Sequence, residues 1–183
     1  MNRRNLLTAA LVLCIAAIPV LLLTAEEAKH KYIGSSKCKM CHAADAKGNQ
    51  FKVWSESKHA KAYDALASEE AKKIGKEKGI ADPQKSDECL KCHLTEAGID
   101  AALLAEGYEK NKGVGCESCH GPGSDYKTPA NMKDKAKAKE NGLVEPDENV
   151  CKKCHNDKSP TFKEFKFDEM YKKIAHANPA NKK

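Results

Sequence analysis

The chain has 183 residues and a formal charge of +6, from 32 Lys and Arg against 26 Asp and Glu. Aromatic residues make up 5 % and charged residues 32 %, so the polypeptide alone would build a poor hydrophobic core. Its lysines are scattered, with no aromatic-interleaved basic run, which argues against a nucleic-acid partner.

Residues 1–25 read as an export signal. Arg3 and Arg4 form its basic start, Leu6 to Leu23 its apolar run, and Thr24-Ala25 its small-residue exit. The run of 18 residues is long for a signal, and Leu23 is a poor residue three before the cut, so a retained anchor or membrane tether over residues 6–23 is the alternative. Cys14 lies within this run and reads as one more apolar residue. Residues 26–183 read as one domain.

After a polar lead-in comes Cys38-Lys39-Met40-Cys41-His42. His59, Ala62, Tyr63 and Leu66 follow at i, i+3, i+4 and i+7, which predicts a helix from about Phe51 to Lys73 with the His59 imidazole on its apolar face. Gly75 and Gly79 fade that helix, and Asp82-Pro83 makes a turn. Cys89-Leu90-Lys91-Cys92-His93 is next, then a short helix expected over Thr95 to Glu106 with Gly107 as its stop. Gly113-Val114-Gly115-Cys116-Glu117-Ser118-Cys119-His120-Gly121-Pro122-Gly123 holds a third copy of the pattern. Lys133 to Asn141 predicts an exposed lysine-rich helix ended by Asn141-Gly142. Cys151-Lys152-Lys153-Cys154-His155 is the fourth copy, and Phe167, Met170, Tyr171 and Ile174 mark an amphipathic helix running to near Asn178-Pro179. No alternating strand pattern occurs, so the class is mostly α with long loops.

The repeated pattern, Cys-x-x-Cys-His, is the attachment sequence of c-type haem. Two thiols three positions apart on one turn add to the two vinyl groups, and the next histidine ligates the iron. Cys-x-x-Cys alone would also suit half a zinc ribbon or a redox dithiol. Neither needs a histidine directly after the second cysteine, and four such histidines arise by chance at about 10⁻⁶. Cys38, Cys41, Cys89, Cys92, Cys116, Cys119, Cys151 and Cys154 therefore read as haem tethers, and His42, His93, His120 and His155 as proximal iron ligands. Four covalent haems, at about 40 residues each, supply the apolar surface that the chain lacks, so folding should depend on their attachment. Each ferric haem adds about −1 and each ferrous haem about −2, which offsets the basic charge and recasts the lysines as propionate partners and a docking surface for redox proteins. Because c-type haem is attached after translocation, the site of action is periplasmic or otherwise extracytoplasmic.

Three histidines remain as sixth ligands: His30, His59 and His176. On a continuous last helix His176 would sit beside Lys172 and Lys173, so it reaches a haem only if that edge faces one or the helix unwinds. His30 lies in a terminal segment. Met132 and Met170 are alternative ligands, although Met170 reads as helix packing. Three histidines cannot close four sites, so at least one iron carries another ligand, water or an open position. A closed iron passes electrons, whereas an open one can also reduce nitric oxide, nitrite or hydroxylamine. An electron carrier with no obligate small-molecule substrate is the first reading and such an enzyme the second. Tyr108 and Tyr126 are distal-pocket groups by residue type alone.

Tyr32-Ile33-Gly34-Ser35-Ser36-Lys37-Cys38, Trp54-Ser55-Glu56-Ser57-Lys58-His59-Ala60-Lys61-Ala62, Gly113 to Gly123 and Phe165-Lys166-Phe167-Asp168-Glu169-Met170 resemble the cytochrome c-554 family of tetrahaem periplasmic electron carriers. The resemblance covers nearly all of residues 32–176. It implies a mainly helical fold around haems in stacked pairs, with three irons bound by two histidines and the second along the chain five-coordinate. His59 and His176 would then be distal ligands, and the open iron would be the one on His93. The family's prototype accepts electrons from hydroxylamine oxidoreductase, and a nitric oxide reductase activity has been proposed for its open haem. Two departures stand out. Many relatives place a distal histidine three residues after Gly-Pro-Gly, where this chain has Tyr126, so that His30 substitutes, Tyr126 ligates or shields the iron, or a second iron is open. The chain also ends soon after His176, which leaves the redox partner unspecified.

Overall fold

The structure, a computed structural model, describes residues 30–176 and 178–179. The export signal, Cys14 and the tether over residues 6–23 lie outside the described residues. The described chain is mostly α, with ten short helices and three isolated 3-10 turns. The helices are α1 (Ser35–His42), α2 (Gln50–Glu56), α3 (Ala62–Ala65), α4 (Glu69–Glu77), α5 (Asp87–His93), α6 (Cys116–His120), α7 (Pro129–Met132), α8 (Lys135–Glu140), α9 (Glu148–Lys152) and α10 (Phe167–Ile174). Among the described residues no strand forms, and the one backbone bridge pairs Tyr32 with Leu104.

Side-chain caps decide where many of these helices start. Asn49, Ser68, Thr128, Asp134 and Asp147 each accept a hydrogen bond from a free N–H of the first turn. Glu69 and Glu70 follow the Ser68 cap, where carboxylates favour the positive end of the helix.

The helix expected from Phe51 to Lys73 is broken twice. Ser57 is extended, and the Ser68 cap starts α4 afresh. Between the breaks, the His59 carbonyl accepts from Ala62 N–H and from Val114 N–H at 2.9 Å, so a distant segment occupies a helical acceptor. His59 consequently sits in a turn. The helix expected over Thr95 to Glu106 shrinks to one 3-10 turn at Ala101–Leu103, because Leu103 O and Ala105 N–H bond Tyr32 on both sides at 2.8 Å. The lysine-rich helix is α8, ended at Asn141 and Gly142, although Ala138 on its inner side is buried. The last helix stops at Ile174, earlier than the sequence pattern suggests.

The stretch from Gly113 to Gly123 is the hub of the fold. Trp54 Nε1–H donates to Val114 O at 2.9 Å, and Thr95 N–H to Gly113 O at 3.2 Å. Thr95 Oγ1 accepts from Gly115 N–H, and Ser35 Oγ accepts from Cys116 N–H. Glu117, only 3 % exposed, accepts from the N–H groups of Ile33, Gly34 and Gly123. Gly113 permits this convergence: its φ is +73°, and a Cβ there would lie 2.6 Å from Ala60 O. Apolar burial is sparse. Ile33, Leu66, Leu94, Tyr126 and Ala138 are the buried apolar side chains among the described residues, as the composition leads one to expect.

Candidate functional site

Each Cys-x-x-Cys-His sequence occupies one helical turn. Cys38 to His42 close α1, Cys89 to His93 close α5, and Cys116 to His120 make up α6. In the fourth, Cys151 ends in α9 and His155 follows on the next turn, its N–H bonded to Cys151 O at 3.0 Å. This geometry puts both thiols and the imidazole of each motif on one side of a single turn. The eight motif cysteines are unbridged. Among the described residues no three His, Cys, Asp or Glu side chains gather in a group that could hold a metal ion.

The motifs meet through their thiols, and they do so out of chain order. Cys38 of the first motif neighbours Cys116 of the third, which raises the Cys38 thiol well above its ordinary value and holds Cys116 down to about 7. Cys92 of the second motif likewise meets Cys154 of the fourth, where burial and that neighbour push Cys154 up to about 12. The first and third attachment points are thus adjacent, and so are the second and fourth.

The histidines sort in the same way. His59 faces His155 with ring centres 6.0 Å apart and planes crossed at 77°. His120 faces His176, also at 6.0 Å, with planes crossed at 68°. Two imidazoles sharing one metal at about 2 Å per bond would have ring centres roughly 6 Å apart, so both pairs fit two axial ligands on one iron. His176 lies beyond the end of α10, after the extended Ala175. Phe165 stacks on His155 at 4.8 Å.

Hydrogen bonds orient several rings. Nδ1 of His93 lies 2.7 Å from Ala62 O, that of His176 2.8 Å from Ile174 O, and that of His120 3.3 Å from Val144 O. Nδ1 of His42 is 3.4 Å from Gln50 Oε1. With Nδ1–H donating to these oxygens, the Nε2 lone pair is left as the metal-binding atom. Burial lowers the pKa of His59, His120 and His155, His59 also through its neighbour His155, which keeps these imidazoles neutral and able to ligate.

His30 Nδ1 is 2.7 Å from Asp125 Oδ2. Tyr126 is buried, its hydroxyl donating to Gly121 O at 2.9 Å, and burial pushes the phenol well above its usual range. Its hydroxyl is thus a neutral donor bonded to a backbone oxygen. Tyr108 donates to Glu96 at 3.3 Å. Sequence reasoning missed Asp125 and Glu117, which carry no motif of their own and act through partners 95 and 84 residues away.

Comparison with known proteins finds similarity in sequence and in fold. Residues 37–121, which hold the first three motifs, match the family described as "Cytochrome c554 and c-prime". Cytochrome c-554 of Nitrosomonas europaea is 36 % identical over 99 residues, a match covering 51 % of this chain and 40 % of that protein's length. The solved structure of reduced cytochrome c554 from Nitrosomonas europaea superposes with a TM-score of 0.57 at 26 % identity, over 81 % of this chain and 85 % of that one. By sequence through three of its four Cys-x-x-Cys-His motifs, and by fold over most of its length, the chain is similar to cytochrome c-554, of which its sequence match spans less than half.

Proposed function

We propose that the chain is an extracytoplasmic tetrahaem c-type cytochrome that carries electrons between redox proteins. The observation that carries this reading is the pair of crossed histidine contacts, His59 with His155 and His120 with His176, each set at a Cys-x-x-Cys-His turn. Bound haem supplies a one-electron couple, with a potential set by axial ligands and surroundings. The eight thiols would tether it, and His42, His93, His120 and His155 would be the motif ligands of its irons. His59 and His176 would be the second ligands at the fourth and third motifs, where their rings face His155 and His120. The oxygens of Ala62, Ile174 and Val144 hold the ligating rings in place. The contacts Cys38–Cys116 and Cys92–Cys154 support grouping the haems in two pairs. Surface lysines supply the docking face for redox partners.

Residues 1–25 direct export, and residues 26–183 form the functional domain. Among the described residues no helix is long and apolar enough to cross a membrane, so any tether belongs to residues 6–23. Reduction of nitric oxide, nitrite or hydroxylamine at the iron on His93 is the competing activity, and neither the relatives nor the geometry favours it.

The test is a spectrum of exported, matured holoprotein. Four haems per chain, reversible one-electron reduction and mostly low-spin iron are expected. Fewer than four haems, or turnover of nitric oxide or hydroxylamine at rates typical of enzymes, would overturn the reading.

A further inference from the structure

We propose that His30, oriented by Asp125, is the distal ligand of the iron held by His42. This assignment rests on the tetrahaem reading above and extends it to the first site, whose sixth ligand no motif supplies.

His30 is not loosely placed. Lys31 N–H donates to Ser124 Oγ at 2.7 Å, and Ser124 N–H returns a bond to Lys31 O at 3.0 Å. Two residues further on, Ile33 and Gly34 are fixed to Glu117. The imidazole seats against Gly142, where an added Cβ would come within 3.1 Å of the ring. Asp125 Oδ2, itself accepting from Ser124 Oγ, takes His30 Nδ1 at 2.7 Å. That contact leaves Nε2 as the ligating atom, the arrangement in which a carboxylate fixes a ligand's tautomer and raises its basicity.

Elimination and location then name the iron. The distal positions at His155 and His120 are taken by His59 and His176. Of the two sites left, His93 is bonded to Ala62 and sits with α3 and α5. His30 is instead held by residues 124–125 and 142, on the side of α6. There α6 adjoins α1 through Cys38–Cys116 and through Ser35 Oγ to Cys116 N–H. Tyr126 does not compete, because its hydroxyl is engaged by Gly121 O.

The test compares holoprotein with its variants, first counting haems per chain. In His30→Ala, carbon monoxide bound by the reduced protein should double, from about one to about two per chain, with a matching loss of low-spin EPR signal. Millimolar imidazole should reverse both changes. Asp125→Asn should keep the low-spin count and raise the potential of a single haem, which a purely structural contact would not do. Unchanged carbon monoxide binding in His30→Ala carrying four haems would overturn the assignment. Should His30→Ala not mature, His30→Met supplies another sixth ligand and should restore four haems with one potential raised. A His30→Met protein with wild-type potentials would equally overturn the assignment. Fewer than four haems in the wild type would instead sink the tetrahaem reading itself.

Discussion

Glu117 holds the N–H of Ile33 between its two carboxylate oxygens, at 2.9 and 3.1 Å. The same carboxylate accepts from Gly34 and from Gly123, each at 2.7 Å. One side chain inside the third motif thereby fixes the lead-in to the first motif and the turn after its own. An amide can accept on one side only, so Glu117→Gln leaves at least one buried N–H facing a donor. We expect a loss of about 2 kcal/mol in stability of the holoprotein, read by denaturant unfolding. An unchanged midpoint would mean that the carboxylate does not organise this corner.

Gly113→Ala tests how closely the hub approaches His59. The added Cβ would meet Ala60 O at 2.6 Å and His59 O at 2.7 Å, on a backbone with φ of +73°. The expected result is displacement of residues 59–60 and loss of one low-spin haem signal. Gly79 has the same φ but nothing within 4 Å of its Cβ position, so Gly79→Ala should cost about 1 kcal/mol and leave the spectrum unchanged.

His59→Ala and His176→Ala should each convert one haem from low to high spin. On the proposed assignment the two histidines serve different irons, so the double variant should show the sum of the two changes. EPR spin counting checks this, and a single variant that alters two haems would refute the pairing.

Acid should act on α8 before neutral pH does. Glu145 bridges Lys135 and Lys139, whose hydrogen bonds hold its carboxyl down to about 2. Its folded pKa is thus below its unfolded one. The contribution is present above the unfolded value and is lost as pH falls from about 4.5 towards 2. Thermal melts of Glu145→Gln should therefore lose part of their pH dependence over that interval and match the wild type at its acid end.

Much of the site was legible because covalent chemistry fixes residue types at fixed spacing: eight cysteines and four histidines follow from Cys-x-x-Cys-His alone. The helical class followed from the absence of alternation, and the end of α8 at Asn141-Gly142 and the Asp82 turn followed from turn residues, whereas the start of α8 lies at the Asp134 cap and not at Lys133. The breaks around His59 did not. Local periodicity favoured one long helix, and the competing acceptor contact comes from Val114, 55 residues away in sequence. His176 posed the opposite problem, since its position depends on a helix ending at Ile174 without a cap residue to announce it. Asp125 was invisible for a similar reason: an aspartate in a loop has no pattern until the chain folds beside His30.

The thiol contacts join first to third and second to fourth. Any cut between the second and third motifs therefore separates both couples at once, although Cys119 of the third motif and Cys151 of the fourth, which also act on each other, stay in one fragment. During synthesis, the opening motif has no neighbour until residue 116 has emerged, and the second waits longer, until residue 154. The chain is interlaced like two alternating threads, so its first two motifs should gain their thiol neighbours only late in synthesis.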